Sequence, residues 1–187
     1  MKMDYLNYYY YYKGVDGQYH TYLPTQDGIT LKDLSPEPKE ITNRLAYVQD
    51  KVSDDTYTKE ADGIADLDNQ EENNYSYDNI GNLIKDKKEG IEIIEWTVYG
   101  KIRKIIKDNG TIIEYTYDAS GNRITKTVNG ETTVYVRDAQ GNVMSMYKRQ
   151  STEGSEPMFM QTEVHLYGSS RLGIINREVI VDGENRN

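Results

Sequence analysis

The sequence predicts an all-β chain: an antiparallel meander of hairpins forming a curved, open sheet. Two observations carry that prediction. Two glycine ladders run through the middle of the chain in one register, Gly81, Gly121 and Gly141 interleaved with Gly90, Gly110 and Gly130, at steps of 20 or 40 residues. Between successive glycines lie short runs rich in β-branched and aromatic residues, such as IIEYTY and RITKTV. Runs of this kind bounded by turn residues read as strands, so each 20-residue unit reads as strand, turn, strand, turn.

Composition agrees with a sheet that has little core. The chain has 187 residues, room for one ordinary domain or an excerpt from a repeat array. Hydrophobic residues make up 36% and the mean hydropathy is -0.82, low for a globule. Its 18 tyrosines nevertheless set it apart from disordered chains, which are poor in aromatics. Half-polar tyrosine surfaces are expected in place of one thick aliphatic core.

In chain order, residues 1–74 form a divergent N-terminal part with three strand signals: LNYYYYYKG, QYHTYLP and ITNRLAYV. The run Tyr8 to Tyr12 puts alternate rings on opposite faces of a strand, packed on both sides. Between Asp50 and Glu72 stand 9 acidic and 2 basic residues, which reads as a long surface loop. Asp62, Asp66, Asp68, Glu71 and Glu72 offer carboxylates of the kind calcium takes. The EF-hand order is missing, so a solvated loop is the preferred reading.

Residues 75–147 hold the repeats: YSYDNIGN from Tyr75, YTYDASGN from Tyr115 and YVRDAQGN from Tyr135. Asp78, Gly81 and Asn82 recur as Asp118, Gly121 and Asn122, and again as Asp138, Gly141 and Asn142. A degenerate copy, EWTVYGKI, fills the vacant slot, with Trp96 and Tyr99 leading into Gly100. The pairs Asn109–Gly110 and Asn129–Gly130 suit two-residue hairpins in which both central residues take positive φ. Asp-x-x-Gly-Asn suits a longer loop, its carboxylate accepting a backbone N–H and its glycine left-handed. Residues 148–187 hold an insertion, Lys148 to Gln161, and then a partial fifth unit at Val164 to Gly173. No proline interrupts the repeat strands, so bare outer strands are expected to self-associate through their edges.

The period-20 YxYDxxGN pattern resembles the RHS/YD-repeat proteins, which include bacterial polymorphic toxins and insecticidal toxin-complex shells. ITNRLAYVQD, NYSYDNIGNLIKD, IEWTVYGKI, YVRDAQGNVMSMY and VHLYGSSRLGI resemble the end of such an array in secreted proteins of Bacteroidota. The resemblance covers residues 41–175 well and residues 1–40 poorly. It implies a spiralling sheet that closes into a hollow shell, often around a C-terminal toxin, and a secreted or cell-surface location. Its implied partners are neighbouring repeats of the same polypeptide. The chain departs from self-cleaving members in having no Asp-Pro pair; its four prolines follow Leu, Ser, Glu and Glu.

The residues point away from catalysis. There is no cysteine and there are two histidines, His20 and His165. GSSRLG, from Gly168, has Leu172 where a nucleophile elbow needs glycine. Asp78, Asp118 and Asp138 repeat at one turn position, which marks architecture, since a catalytic residue would be unique. No enzyme activity, cofactor or metal is expected. A net charge of -9 without a basic face argues against nucleic acid, and no apolar run reaches the length of a membrane helix. The most credible binding surface is aromatic. Tyr75, Tyr77, Trp96, Tyr99, Tyr115, Tyr117 and Tyr135, standing on sheet faces, are the candidate carbohydrate contacts. The competing expectation is that these rings pack as cross-strand ladders.

Overall fold

A computed structural model describes residues 6–24, 34–50, 69–150 and 158–181. The described residues form thirteen strands and no α-helix, so none is long and apolar enough to cross a membrane. The strands are β1 (Leu6–Gly14), β2 (Tyr19–Tyr22), β3 (Pro38–Asp50), β4 (Tyr75–Tyr77), β5 (Leu83–Asp86), β6 (Ile91–Trp96) and β7 (Ile102–Lys107). They continue as β8 (Ile112–Tyr117), β9 (Arg123–Val128), β10 (Glu131–Arg137), β11 (Val143–Gln150), β12 (Met158–Tyr167) and β13 (Arg171–Val181). Strands β4 to β13 follow one another in sequence order in a ten-stranded sheet, and β2-β1-β3 form a second one. The predicted all-β antiparallel meander is therefore the fold, and it is open: β4 and β13 each have one neighbour. Contacts gather into two compact units, Met1–Ile91 and Glu92–Asn187.

In the first unit the three N-terminal strand signals became β1, β2 and β3, with β1 in the centre. The tyrosine run packs on both faces. Tyr12 is 2% exposed against Tyr22 and His20, while Tyr9 lies parallel on Tyr47 with ring centroids 4.3 Å apart. Ala46, Tyr47 and Val48 complete this small core. The β4–β5 hairpin is tied to it by polar bonds: the Tyr11 hydroxyl donates to the Tyr75 carbonyl, and Gln70, ahead of β4, accepts from the Val48 amide and donates to the Tyr75 hydroxyl. Buried Asn74 donates to Asp86 and accepts from the amide of Lys88.

The turns explain the glycine ladder. In one form the amide of residue i donates to the carbonyl of i+4 and the amide of i+3 to the carbonyl of i, enclosing three loop residues. That pair of bonds occurs at 14–18, 78–82, 97–101, 107–111, 118–122 and 138–142. The third loop residue is glycine each time, and each of those glycines has positive φ. A three-residue loop built on a type I turn ends in a left-handed residue, which a Cβ disfavours. The other expected form is met once. Asn129 and Gly130 have φ of 49° and 92° between paired Val128 and Glu131, a two-residue hairpin. At Asn109–Gly110 the structure corrects the expectation: the loop holds three residues, Asp108 to Gly110, and Asn109 is not left-handed. Lys107 and Thr111 close it, so glycine alone meets the geometric demand.

The expected insertion is in part strand, since Lys148 to Gln150 extend β11 and Met158 to Gln161 open β12. Its middle, residues 151–157, lies outside the described residues, as do Asp62, Asp66 and Asp68 of the acidic segment.

Two predictions follow from this packing. Gly121 has φ of 81°, so Gly121→Val should destabilise the chain by about 1 kcal/mol or more in thermal unfolding. An unchanged melting curve contradicts the turn assignment. Burial, helped by the neighbouring Tyr77 phenol, pushes Tyr11 up to about 12, and burial also raises Tyr12, Tyr22, Tyr47 and Tyr77. These groups hold their protons more tightly when folded than at the ordinary value of about 10. Their contribution to stability is therefore complete below that pH and is lost as pH rises through their raised folded-state values, about 12 for Tyr11. A phenolate absorbance titration should show these five ionising above the ordinary phenol value. A single step for all 18 contradicts the packing.

Candidate functional site

Each repeat aspartate is committed to its own turn. Asp118 Oδ1 accepts from the amides of Ser120 and Asn122, at 2.9 and 2.8 Å, and its Oδ2 accepts from the Asn122 side chain at 3.0 Å. Asp78 makes the same three bonds to Ile80 and Asn82, and Asp138 to Gln140 and Asn142. Donors aimed at a carboxylate favour its charged form. The Asn122 and Asn142 side chains accordingly hold Asp118 and Asp138 below the usual carboxylate range. At Asp78 partial desolvation works upward, and the bonds from Asn82 and Ile80 outweigh it. In the degenerate copy Thr97 takes the aspartate's place, its hydroxyl accepting from the Lys101 amide. The sequence pattern marks Trp96 and Tyr99 there. The usable signal was a hydroxyl residue three positions before Gly100.

The last strand residue before a turn has a recurring role as well. The Tyr117 hydroxyl donates to the carbonyl of Ile102, the first residue of the neighbouring strand β7, at 2.7 Å. Tyr167 reaches the first residue of β11, Val143, at 3.0 Å. Arg137 makes the same reach to the first residue of β9: its Nε donates to the Arg123 carbonyl at 3.0 Å. Tyr77 spans to Leu45 of β3, also at 3.0 Å. These struts tie the ends of β4, β8, β10 and β12 to the strand before each. Tyr167 and Arg137 in this role were missed by sequence reading, because Arg137 breaks the tyrosine pattern and Tyr167 precedes glycine.

The candidate aromatic residues separate accordingly. Tyr75 and Tyr77 belong to the first unit, and their hydroxyls are taken by Gln70 and Leu45. The other five lie in the second unit. A groove of 510 Å³ gathers Trp96, Tyr117 and Tyr135 with Lys101, Arg123 and Arg137. Another, of 760 Å³, gathers Tyr99, Tyr115 and Tyr117. Tyr99 stands in the 97–101 loop, not on a strand, and is 87% exposed. Tyr115 is covered by the Arg123 guanidinium 4.1 Å from its ring centre, and Arg137 lies 5.9 Å from that of Tyr135. Such cation–ring contacts hold a guanidinium in place. Elsewhere, buried His165 meets Glu163 at 3.1 Å, and half-buried His20 meets Asp16 at 2.9 Å. Among the described residues no serine hydroxyl bonds to either couple. No family model matches the chain, and no curated protein matches it.

The struts and turn carboxylates predict two outcomes. Tyr117→Phe removes one strut bond and should cost about 1 kcal/mol while leaving the sheet's circular dichroism intact. A cost near zero contradicts the strut. The lowered turn aspartates contribute stability that is present above about pH 4 and lost as pH falls through their folded-state values. Replacing all three by asparagine, which can still accept at the turn, should flatten this acid loss. An acid limb as steep as the native one contradicts the role given to their charge.

Proposed function

We propose that this chain is a non-catalytic architectural module, a segment of sheet wall in a secreted protein of the RHS/YD-repeat kind that encloses or presents a C-terminal effector. One observation carries the reading: the polar groups that recur with the repeat bond to the sheet itself. The carboxylates of Asp78, Asp118 and Asp138 close turns, and Tyr77, Tyr117, Arg137 and Tyr167 brace strand ends. Repetition of this kind extends a sheet by adding like units, each supported by its neighbours. Isolation of the native protein from the secreted fraction, with mass spectrometry and limited proteolysis, tests it. The expected product is this sequence within a longer polypeptide whose C-terminal part resists protease until the sheet unfolds. A native protein that ends with this sequence, or whose following part is freely digested, overturns the wall reading.

A second reading, a module that binds cell-surface carbohydrate, is favoured by the gathering of Trp96, Tyr117 and Tyr135 along one groove and by the exposure of Tyr99. Aromatic faces stack on the apolar faces of sugar rings, and a groove of this volume lies in the range of small-ligand sites. A glycan array probed with the native chain and with Trp96→Ala and Tyr99→Ala variants decides it. Specific signals lost in variants that stay folded support the reading. An array without specific signals removes it.

A further inference from the structure

We propose that the groove between Trp96, Tyr117 and Tyr135 takes an acidic sugar, with Lys101, Arg123 and Arg137 receiving its carboxylate. This rests on the carbohydrate reading and narrows it to a charge class. The groove lining contains those three cations and no carboxylate residue, in a chain whose net charge is -9.

Three other cations of the same unit sit against acids: Arg103 against Glu95, Lys104 against Glu114 and Lys148 against Glu131. Lys107 and Lys126, unpaired among the described residues, do not line this groove. Among the described residues no such ion pair involves Lys101, Arg123 or Arg137. The two guanidiniums are also held in place. Arg137 donates through Nε and Nη1 to the carbonyls of Arg123 and Gly141, at 3.0 and 2.7 Å. Arg123 lies over Tyr115, and its Nε is buried with no acceptor. Asp118 feels the charge of Arg137, but both its oxygens already accept from its own turn.

A neutral sugar would stack in the groove and leave this positive charge unmatched. A carboxylate on the ring matches both features, since charge-assisted bonds from fixed guanidiniums are strong and directional. Little ordering remains to be done on binding, which favours affinity.

Trp96 is the only tryptophan, so its fluorescence reports on this groove. The native chain is titrated with trigalacturonate, with the methyl ester of the same sugar, and with an oligoglutamate of equal charge. The acid should bind saturably, about tenfold or more tighter than the ester. Its affinity should fall as salt is added. Lys101→Gln, at an exposed position, should weaken it severalfold without changing the melting curve. Equal binding of acid and ester overturns the charge inference while the carbohydrate reading stands. Equal binding of oligoglutamate overturns it in favour of a general anion site. Failure of both sugars to bind, with specific signals retained on the glycan array, overturns it for this groove alone. Failure on the array as well removes the underlying reading.

Discussion

The sheet depends on closing its hairpins without a core to hold them. In the unit from Glu92 to Asn187 the buried side chains among the described residues are Ile94, Ser145 and His165, and two of these are polar. Hydrophobic burial cannot align such strands by itself, because the driving force scales with apolar area removed from water. Register must come from the turns and from cross-strand pairs. A three-residue loop with a left-handed glycine sets the register of both strands it joins, and a carboxylate placed three residues earlier satisfies amides that would otherwise face only water. The 20-residue period expresses that geometry: two strands of about six residues and two turns.

Tyrosine serves this economy in two ways. In the unit from Met1 to Ile91, rings are packed inward, and burial raises the phenols of Tyr11, Tyr12, Tyr22, Tyr47 and Tyr77. In both units a ring also crosses to another strand and its hydroxyl donates to a backbone carbonyl, as at Tyr77, Tyr117 and Tyr167. Both uses exploit a side chain with an apolar body and a polar tip. The pairing of Thr116 with Thr125 and of Thr127 with Thr132 across strands adds polar support where no ring stands.

Most of the fold was legible in the sequence because its signals are local. Alternation, turn residues and a fixed spacing act over a few positions, and β1, β2, β3 and the repeat hairpins follow from them. The loop at Asp108 to Gly110 was misread as two residues because Asn-Gly is compatible with both loop lengths; the closing pair, Lys107 and Thr111, decides between them. The candidate site was less legible. That Tyr77 and Tyr117 brace strands, or that Arg137 replaces a tyrosine in that role, depends on which strand lies beside which. The gathering of Lys101, Arg123 and Arg137 is likewise a product of register. Their sequence separation gives no hint of a shared groove.

The central claim is that the repeat aspartates make these turns self-supporting. Residue-resolved amide hydrogen exchange tests it most directly. The amides of Asn82, Asn122 and Asn142, each bonded to an aspartate carboxylate, should be protected to a similar degree, while those of Asn79, Ala119 and Ala139 at the loop tips exchange freely. Fast exchange at all six, or protection unchanged when Asp118 becomes alanine, would contradict the account.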